Sequence, residues 1–222
     1  MKTTIRCLVS LFASGLLCAA NAFAAGDVAL INQLVGEVSY TSGAGTAKAK
    51  PFMKVRENDR FTLPAGSQLR IVYFQGGRQE SYSGPADVIA GAEKSTVQSG
   101  AQAQVSTLPT GVSQKIAQTP ELVQIAKLGR SGGVAVRGAN REQRLTPQQL
   151  AEVRQAREVY QQLRAQATAD DITPELYLYS VLQDHLLYAD MKPVVEEMVK
   201  RQPGNADVAA MSDYVKVKTE AK

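Results

Sequence analysis

From Asp27 to about Val97 the apolar residues come in short runs divided by turn residues. Val28 to Ile31 is one run and Gly36 to Tyr40 a second, with Ser42-Gly43-Ala44-Gly45 as a turn signal after it. A short segment follows from Lys54 to Phe61, then a turn at Pro64-Ala65-Gly66. Leu69 to Phe74 alternates, with Leu69, Ile71 and Tyr73 on one face and Arg70, Val72 and Phe74 on the other. Gly76-Gly77 ends that run. Gln79 to Tyr82, Gly84-Pro85 and Ala86 to Ala90 complete a series with turns about every ten residues, the spacing of a small all-β sandwich or open barrel.

The pattern changes after residue 97. Residues 98–118 are rich in Gln, Ser, Thr and Ala and read as a linker. Thr119-Pro120-Glu121 predicts a short helix, with Thr as N-cap, Pro in the first turn and an acid at the positive end of the dipole, closed at Gly129. Residues 129–144 are rich in Gly and Arg, with Val134-Ala135-Val136 as an isolated strand candidate. Beyond Leu145 the period becomes helical: Thr146-Pro147-Gln148 opens a helix whose stripe is Leu150, Val153, Ala156, Tyr160 and Leu163. Thr173-Pro174-Glu175 opens the next, Lys192-Pro193 a third, and Ala206 to Val215 a last one after the break at Pro203-Gly204-Asn205. The fold expected is segregated α+β, with a leader over 1–24, a β domain over 25–97, a linker with a short helix over 98–144 and a helical domain over 145–222.

The leader is a secretory signal. Lys2 and Arg6 are its positive region, Leu8 to Ala20 its uncharged apolar run, and Ala22-Phe23-Ala24 the small-x-small site, placing cleavage after Ala24 with Ala25 as the alternative. A membrane anchor is the weaker reading, because a spanning helix needs roughly 20 apolar residues. Lipidation at Cys18 would need a small residue before it, and Leu17 is not small. The chain is therefore expected in the periplasm or outside the cell, with no transmembrane segment in its mature part. Cys7 and Cys18 are the only cysteines and both fall in the leader, so the mature chain has no disulfide or thiolate chemistry. The 25 basic residues less Lys2 and Arg6 leave 23, against 21 acidic ones, a net charge of +2. That balance gives no reason to expect nucleic acid, and allows at most a weak attraction to an anionic cell-wall or lipid surface.

Several segments carry a resemblance. Leu34-Val35-Gly36-Glu37-Val38, Val55 to Phe61, Gly66 to Ile71, Gly76-Gly77 and Gly84-Pro85 resemble the FecR-type domain, the periplasmic β domain of iron-dicitrate regulators. Asn58-Asp59 stands where that family usually has Gly-Asp, and Gly77 where it has an acid-glycine pair. Val134-Ala135-Val136-Arg137-Gly138 is similar to a late element of such domains and, on that likeness, would extend the β domain past the linker. The regulators carry a cytoplasmic anti-sigma region and a transmembrane helix ahead of the domain; here a leader precedes it, so the resemblance does not imply sigma-factor signalling. The helical part is similar to tetratricopeptide hairpins, with Leu176 to Tyr188 and Lys192 to Gln202 as partners, although the Thr119, Thr146 and Thr173 triplets repeat at a shorter interval than that family's. A plain helical-hairpin bundle remains the other reading.

Candidate chemistry is sparse. His185 is the one histidine and has no metal-ligand or triad spacing around it. Asp170-Asp171 directly precedes a helix start and suits a loop role better than paired-carboxylate catalysis. Glu196-Glu197 lies within reach of Lys200 and Arg201 on one helix. The glycines of 129–138 lack the Gly-Lys-Ser/Thr ending of a phosphate loop. No catalytic residue, metal or cofactor is expected. The remaining candidates are partner contacts: Tyr177, Tyr179 and Tyr188, because tyrosine buries area while keeping a polar tip, with Arg137 and Arg141 for an anionic surface. The expectation is a non-enzymatic interaction scaffold for an envelope or secreted protein. The alternative is a binding module in which the β domain reads a small molecule or cell-wall glycan.

Overall fold

A computed structural model describes residues 26–130 and 145–220. The leader, Arg137, Arg141 and the strand candidate at 134–138 lie outside these residues. Ten strands precede six helices among the described residues: β1 (Asp27–Val35), β2 (Ser39–Ser42), β3 (Gly45–Lys48), β4 (Lys54–Arg56), β5 (Arg60–Leu63), β6 (Gln68–Tyr73), β7 (Arg78–Ser83), β8 (Ala86–Ala90), β9 (Ser95–Gly100) and β10 (Gln104–Thr107), then α1 (Val112–Ile116), α2 (Thr119–Arg130), α3 (Pro147–Gln166), α4 (Thr173–Asp184), α5 (Tyr188–Arg201) and α6 (Ala206–Glu220). The segregated α+β class holds.

The strands form two antiparallel sheets, β10-β7-β6-β1-β4 and β3-β2-β5-β8-β9. Their facing sides share a core of Ala29, Ile31, Phe61, Leu69, Ile71, Tyr73, Tyr82 and Val88. The alternation expected in β6 is observed: Leu69, Ile71 and Tyr73 enter this core, while Val72 belongs to a second cluster on the outer face. The linker expected from residue 98 is instead structured. Its first part completes β9 and forms β10 and its second part forms α1, while the short helix expected from Thr119 is present as α2. These are edge strands, satisfied by backbone pairing on one side and exposed on the other, so they need few apolar residues.

The helices pack in sequence, α3 on α4, α4 on α5 and α5 on α6, and α2 returns to lie against α6, closing them into a bundle. Gly129 permits that return, since a Cβ there would stand 2.6 Å from the Tyr214 ring. The capping box at Thr146 is formed, with the Gln149 N–H donating to Thr146 Oγ1 at 3.2 Å and the Thr146 N–H to Gln149 Oε1 at 2.9 Å. The third helix begins at Tyr188 rather than Lys192, with Pro193 inside it. The extra turn buries Met191 completely in the bundle core, which outweighs the N–H that proline lacks.

The two halves are docked. Leu30 and Val72 on the outer face of the first sheet share an apolar cluster with Leu108, Val112, Ile116 and Leu163. Phe52, from the segment between β3 and β4, is buried in the helical core and takes a left-handed φ of 57° to reach it.

Candidate functional site

Beside that apolar seam the sheet presents a polar face. A bulge in β1 makes it. The partner register runs Ile31 with Ile71 and then Gln33 with Arg70, leaving Asn32 as an extra residue. Asn32 and Gln33 therefore both reach the helices, while Ile31 enters the sandwich core and Leu34 packs against it. The cross-strand pairs Arg70 with Ser81 and Val72 with Gln79 complete the face.

The segment between α3 and α4 sits on this face and is held from both sides. From the sheet, Asn32 Nδ2 donates to Thr173 Oγ1 at 2.5 Å, Gln33 Nε2 to Asp170 Oδ2, and Gln79 Nε2 to Asp171 Oδ2 at 3.2 Å. Arg70 donates through Nε to Ser81 Oγ at 2.9 Å and through Nη2 to Thr168 Oγ1 at 3.2 Å. Its Nη1 stands 3.3 Å from Asp171 Oδ1, an ion-pair distance, but makes no hydrogen bond. From the helices, Arg164 Nη1 donates to the Asp171 carbonyl at 2.5 Å, Arg201 Nη1 to the Ala169 carbonyl at 2.7 Å, and Gln202 Nε2 to the Asp170 carbonyl at 3.1 Å. Asp171 also accepts from the Thr173 N–H at 2.8 Å, which orders the start of α4. The Asp170-Asp171 pair thus has the loop role its position suggested.

Charge is distributed unevenly around this segment. Burial pushes the Asp170 carboxyl up, but hydrogen bonds from Thr168, Gln33 and its own N–H outweigh it and hold the group below the usual aspartate value. Glu175, one turn into α4, is wholly buried between Arg164, at 3.1 Å, and Arg201, at 3.5 Å. Burial dominates there and raises its carboxyl above the usual value despite both guanidinium groups.

Alongside the network a cleft of about 220 Å³ opens between the sheet and the end of α3. Arg70, Gln79 and Ser81 lie at the sheet side, Gln104 to Leu108 form one wall, and Leu163, Gln166, Ala167 and Thr168 form the other. Amides and hydroxyls predominate, so the cleft is suited to recognition by neutral hydrogen bonds. A second depression of about 350 Å³ lies between the starts of α3 and α5, with Leu145, Leu150, Val153 and Leu187 in it and the Arg157–Asp190 pair, at 3.1 Å, on its rim.

The tyrosines singled out from the sequence fall elsewhere. Tyr179 is 1 % exposed in the helical core, so it cannot touch a partner. Its position in α4 shares the inward face with Leu176 and Leu182. Tyr177 and Tyr188 are half-buried against the same core, and Tyr188 meets Tyr214 edge-on with ring centres 5.9 Å apart. The three do not form one surface. His185 lies at the end of α4 rather than within it, with Nε2 3.3 Å from Glu152 Oε2. No cluster of metal-ligating side chains occurs among the described residues, and none of their helices is long and apolar enough to cross a membrane. The cleft residues were missed because Gln, Ser and Thr in a short exposed strand read as linker; Arg70 and Gln79 on the outer face of the sheet were the available signal. Among protein-family models, curated proteins and solved structures, none matches this chain.

Proposed function

We propose that the chain is a non-enzymatic exported envelope protein that binds another protein, and that the junction cleft is its binding site. The observation that carries this reading is the placement of the cleft. It is walled by both halves of the molecule and lies beside a loop held rigidly from both sides, so a partner would meet a pre-organised surface. Its polar walls favour a peptide over an apolar ligand.

The FecR-type assignment is supported by where its motifs fall. Gly36, with φ 77°, follows β1; Asn58, with φ 70°, turns β4 into β5; and Gly76-Gly77, with φ 72° and 64°, separate β6 from β7. The closure of α2 on α6 favours a bundle over a tetratricopeptide solenoid, in which each unit touches only its neighbours. Recognition of a small molecule or glycan remains the second reading, carried by the existence of a cleft. A volume of about 220 Å³ is below the roughly 300–1,000 Å³ of typical small-molecule sites, which favours a side chain of a larger partner.

The test is affinity capture of the protein from a cross-linked envelope fraction, comparing wild type with Ser106→Trp, which fills the cleft, and with Tyr177→Ala. Partners lost only with Ser106→Trp support the reading. Partners retained by that variant place binding elsewhere, and a melting temperature raised by glycans alone favours the second reading.

A further inference from the structure

The strand that walls the cleft is also a free edge. β10 pairs with β7 on one side and with no strand on the other among the described residues. The phase of its hydrogen bonds follows from one contact: the Leu108 N–H donates to the Gly77 carbonyl at 2.8 Å. In an antiparallel pair, bonded and non-bonded positions alternate. With Ser106 opposite Gln79 and Gln104 opposite Ser81, those two residues turn their backbone groups toward β7. Val105 and Thr107 therefore turn theirs outward, and all four residues of β10 are exposed.

Edge strands are commonly protected by charge. Among the outer strands, β3 ends in Lys48, which pairs with Glu37, and β4 carries Lys54 and Arg56, which pair with Asp27. β10, Gln-Val-Ser-Thr, has no charge, and neither has β9. Of these, β10 is the one that walls the cleft.

Resting on the reading of the cleft as a protein-binding site, we propose that the outer edge of β10 takes up an extended segment of the partner as a sixth strand of the sheet. The outward N–H and C=O groups of Val105 and Thr107 supply the main-chain bonds. Side chains two apart on the added strand share the face of Gln104 and Ser106 and project on the cleft side. Their direct neighbours on that face are Gln104 and Ser106, and the cleft beyond is lined by the uncharged Gln79, Ser81, Gln166 and Thr168, with Arg70 already matched by Asp171. An incoming charge would lose water without gaining a counter-ion, so the segment is uncharged at those positions, bearing Thr, Ser, Asn or Gln.

The probe is a blocked, fluorescently labelled heptapeptide alternating Thr with Val, compared with one bearing Lys in place of the central Thr, each titrated against the full chain by anisotropy. The expected result is saturable binding of the Thr peptide and at least a tenfold weaker affinity for the Lys peptide. Val105→Pro, which removes one outward N–H, weakens the Thr peptide at least tenfold with little change in melting temperature. Val105→Thr, which keeps the backbone donor and adds no charge, retains main-chain pairing, whereas Val105→Lys, which keeps the fold but places charge on the edge, weakens the Thr peptide and serves as the folded loss-of-binding variant if the proline variant melts early. No saturable binding to wild type, or equal binding to Val105→Pro, overturns the proposal. So does a wild-type dimer that Val105→Pro converts to monomer, which would make a second copy the occupant. If cross-linked capture yields a partner that Val105→Pro still retains, the scaffold reading stands and the added strand falls; if wild type captures nothing, the scaffold reading itself falls.

Discussion

Arg70 in β6 and Asp171 ahead of α4 stand 3.3 Å apart across the junction of the two halves, their residues 8 % and 3 % exposed. An ion pair so withdrawn from water is costly to break from one side, because the remaining charge stays buried without its partner. Arg70→Met is expected to lower stability by about 3–5 kcal/mol. Replacing both, as Arg70→Met with Asp171→Leu, costs less than the two single losses added together, a non-additivity that urea denaturation of all four proteins measures.

Acid titration should separate the two carboxyls of the junction by sign. Below the ordinary glutamate value of 4.5 the stabilising contribution of Glu175, whose folded value is raised, is fully present; it is lost as pH rises through that raised value. Asp170 behaves oppositely. Its contribution is present above the ordinary value of 3.8 and is lost as pH falls through the lowered folded value. The melting temperature of Glu175→Gln relative to wild type should therefore rise as pH is raised above about 4.5, and that of Asp170→Asn should rise relative to wild type as pH falls below about 3.8. A Glu175→Gln difference that instead rises as pH falls below about 4.5 would show that the two arginines, not burial, control this carboxyl.

The tyrosines of the helical part should divide by burial. Tyr179→Ala is expected to cost about 3–5 kcal/mol, as for other large side chains removed from a core. Tyr188→Ala should cost less, since that ring is half-exposed and keeps one face against Tyr214. Neither Tyr177→Ala nor Tyr188→Ala should alter partner capture, which the cross-linking comparison checks directly.

Phe52 is the apolar counterpart of the Arg70–Asp171 pair, a side chain of the β half buried in the helical core. Phe52→Ala should destabilise by about 3–5 kcal/mol. Phe52→Gly suits the left-handed φ of 57° but still empties the pocket, so it should recover only a fraction of that loss in thermal denaturation.

Much of this architecture was legible in the chain because it follows from period and punctuation. The two faces of β6, the capping box at Thr146 and the helix start at Thr173 are each local, decided within a few residues. What was not legible depends on distant polar pairs. Asn32 meets Thr173 and Gln79 meets Asp171 across 141 and 92 residues, and no hydrophobic pattern signals a hydrogen bond of that kind. β9 and β10 were hidden for a related reason: an edge strand can be held by its backbone, so its side chains need not alternate. The tyrosines pointed the wrong way because helical spacing identifies a face without saying what covers it.

The bulge in β1 has a meaning for how such a molecule could be assembled over time. Asn32 is the residue passed over where the register of the strand with β6 shifts. Deleting it would give an uninterrupted strand in which Ile31 and Leu34 keep their places in the sandwich, and the bond to Thr173 would disappear. A single codon thus adds or removes one polar tie between the halves, while the sandwich core beneath it, the apolar seam of Leu30 and Val72 and the bonds of Gln33, Arg70 and Gln79 stay in place.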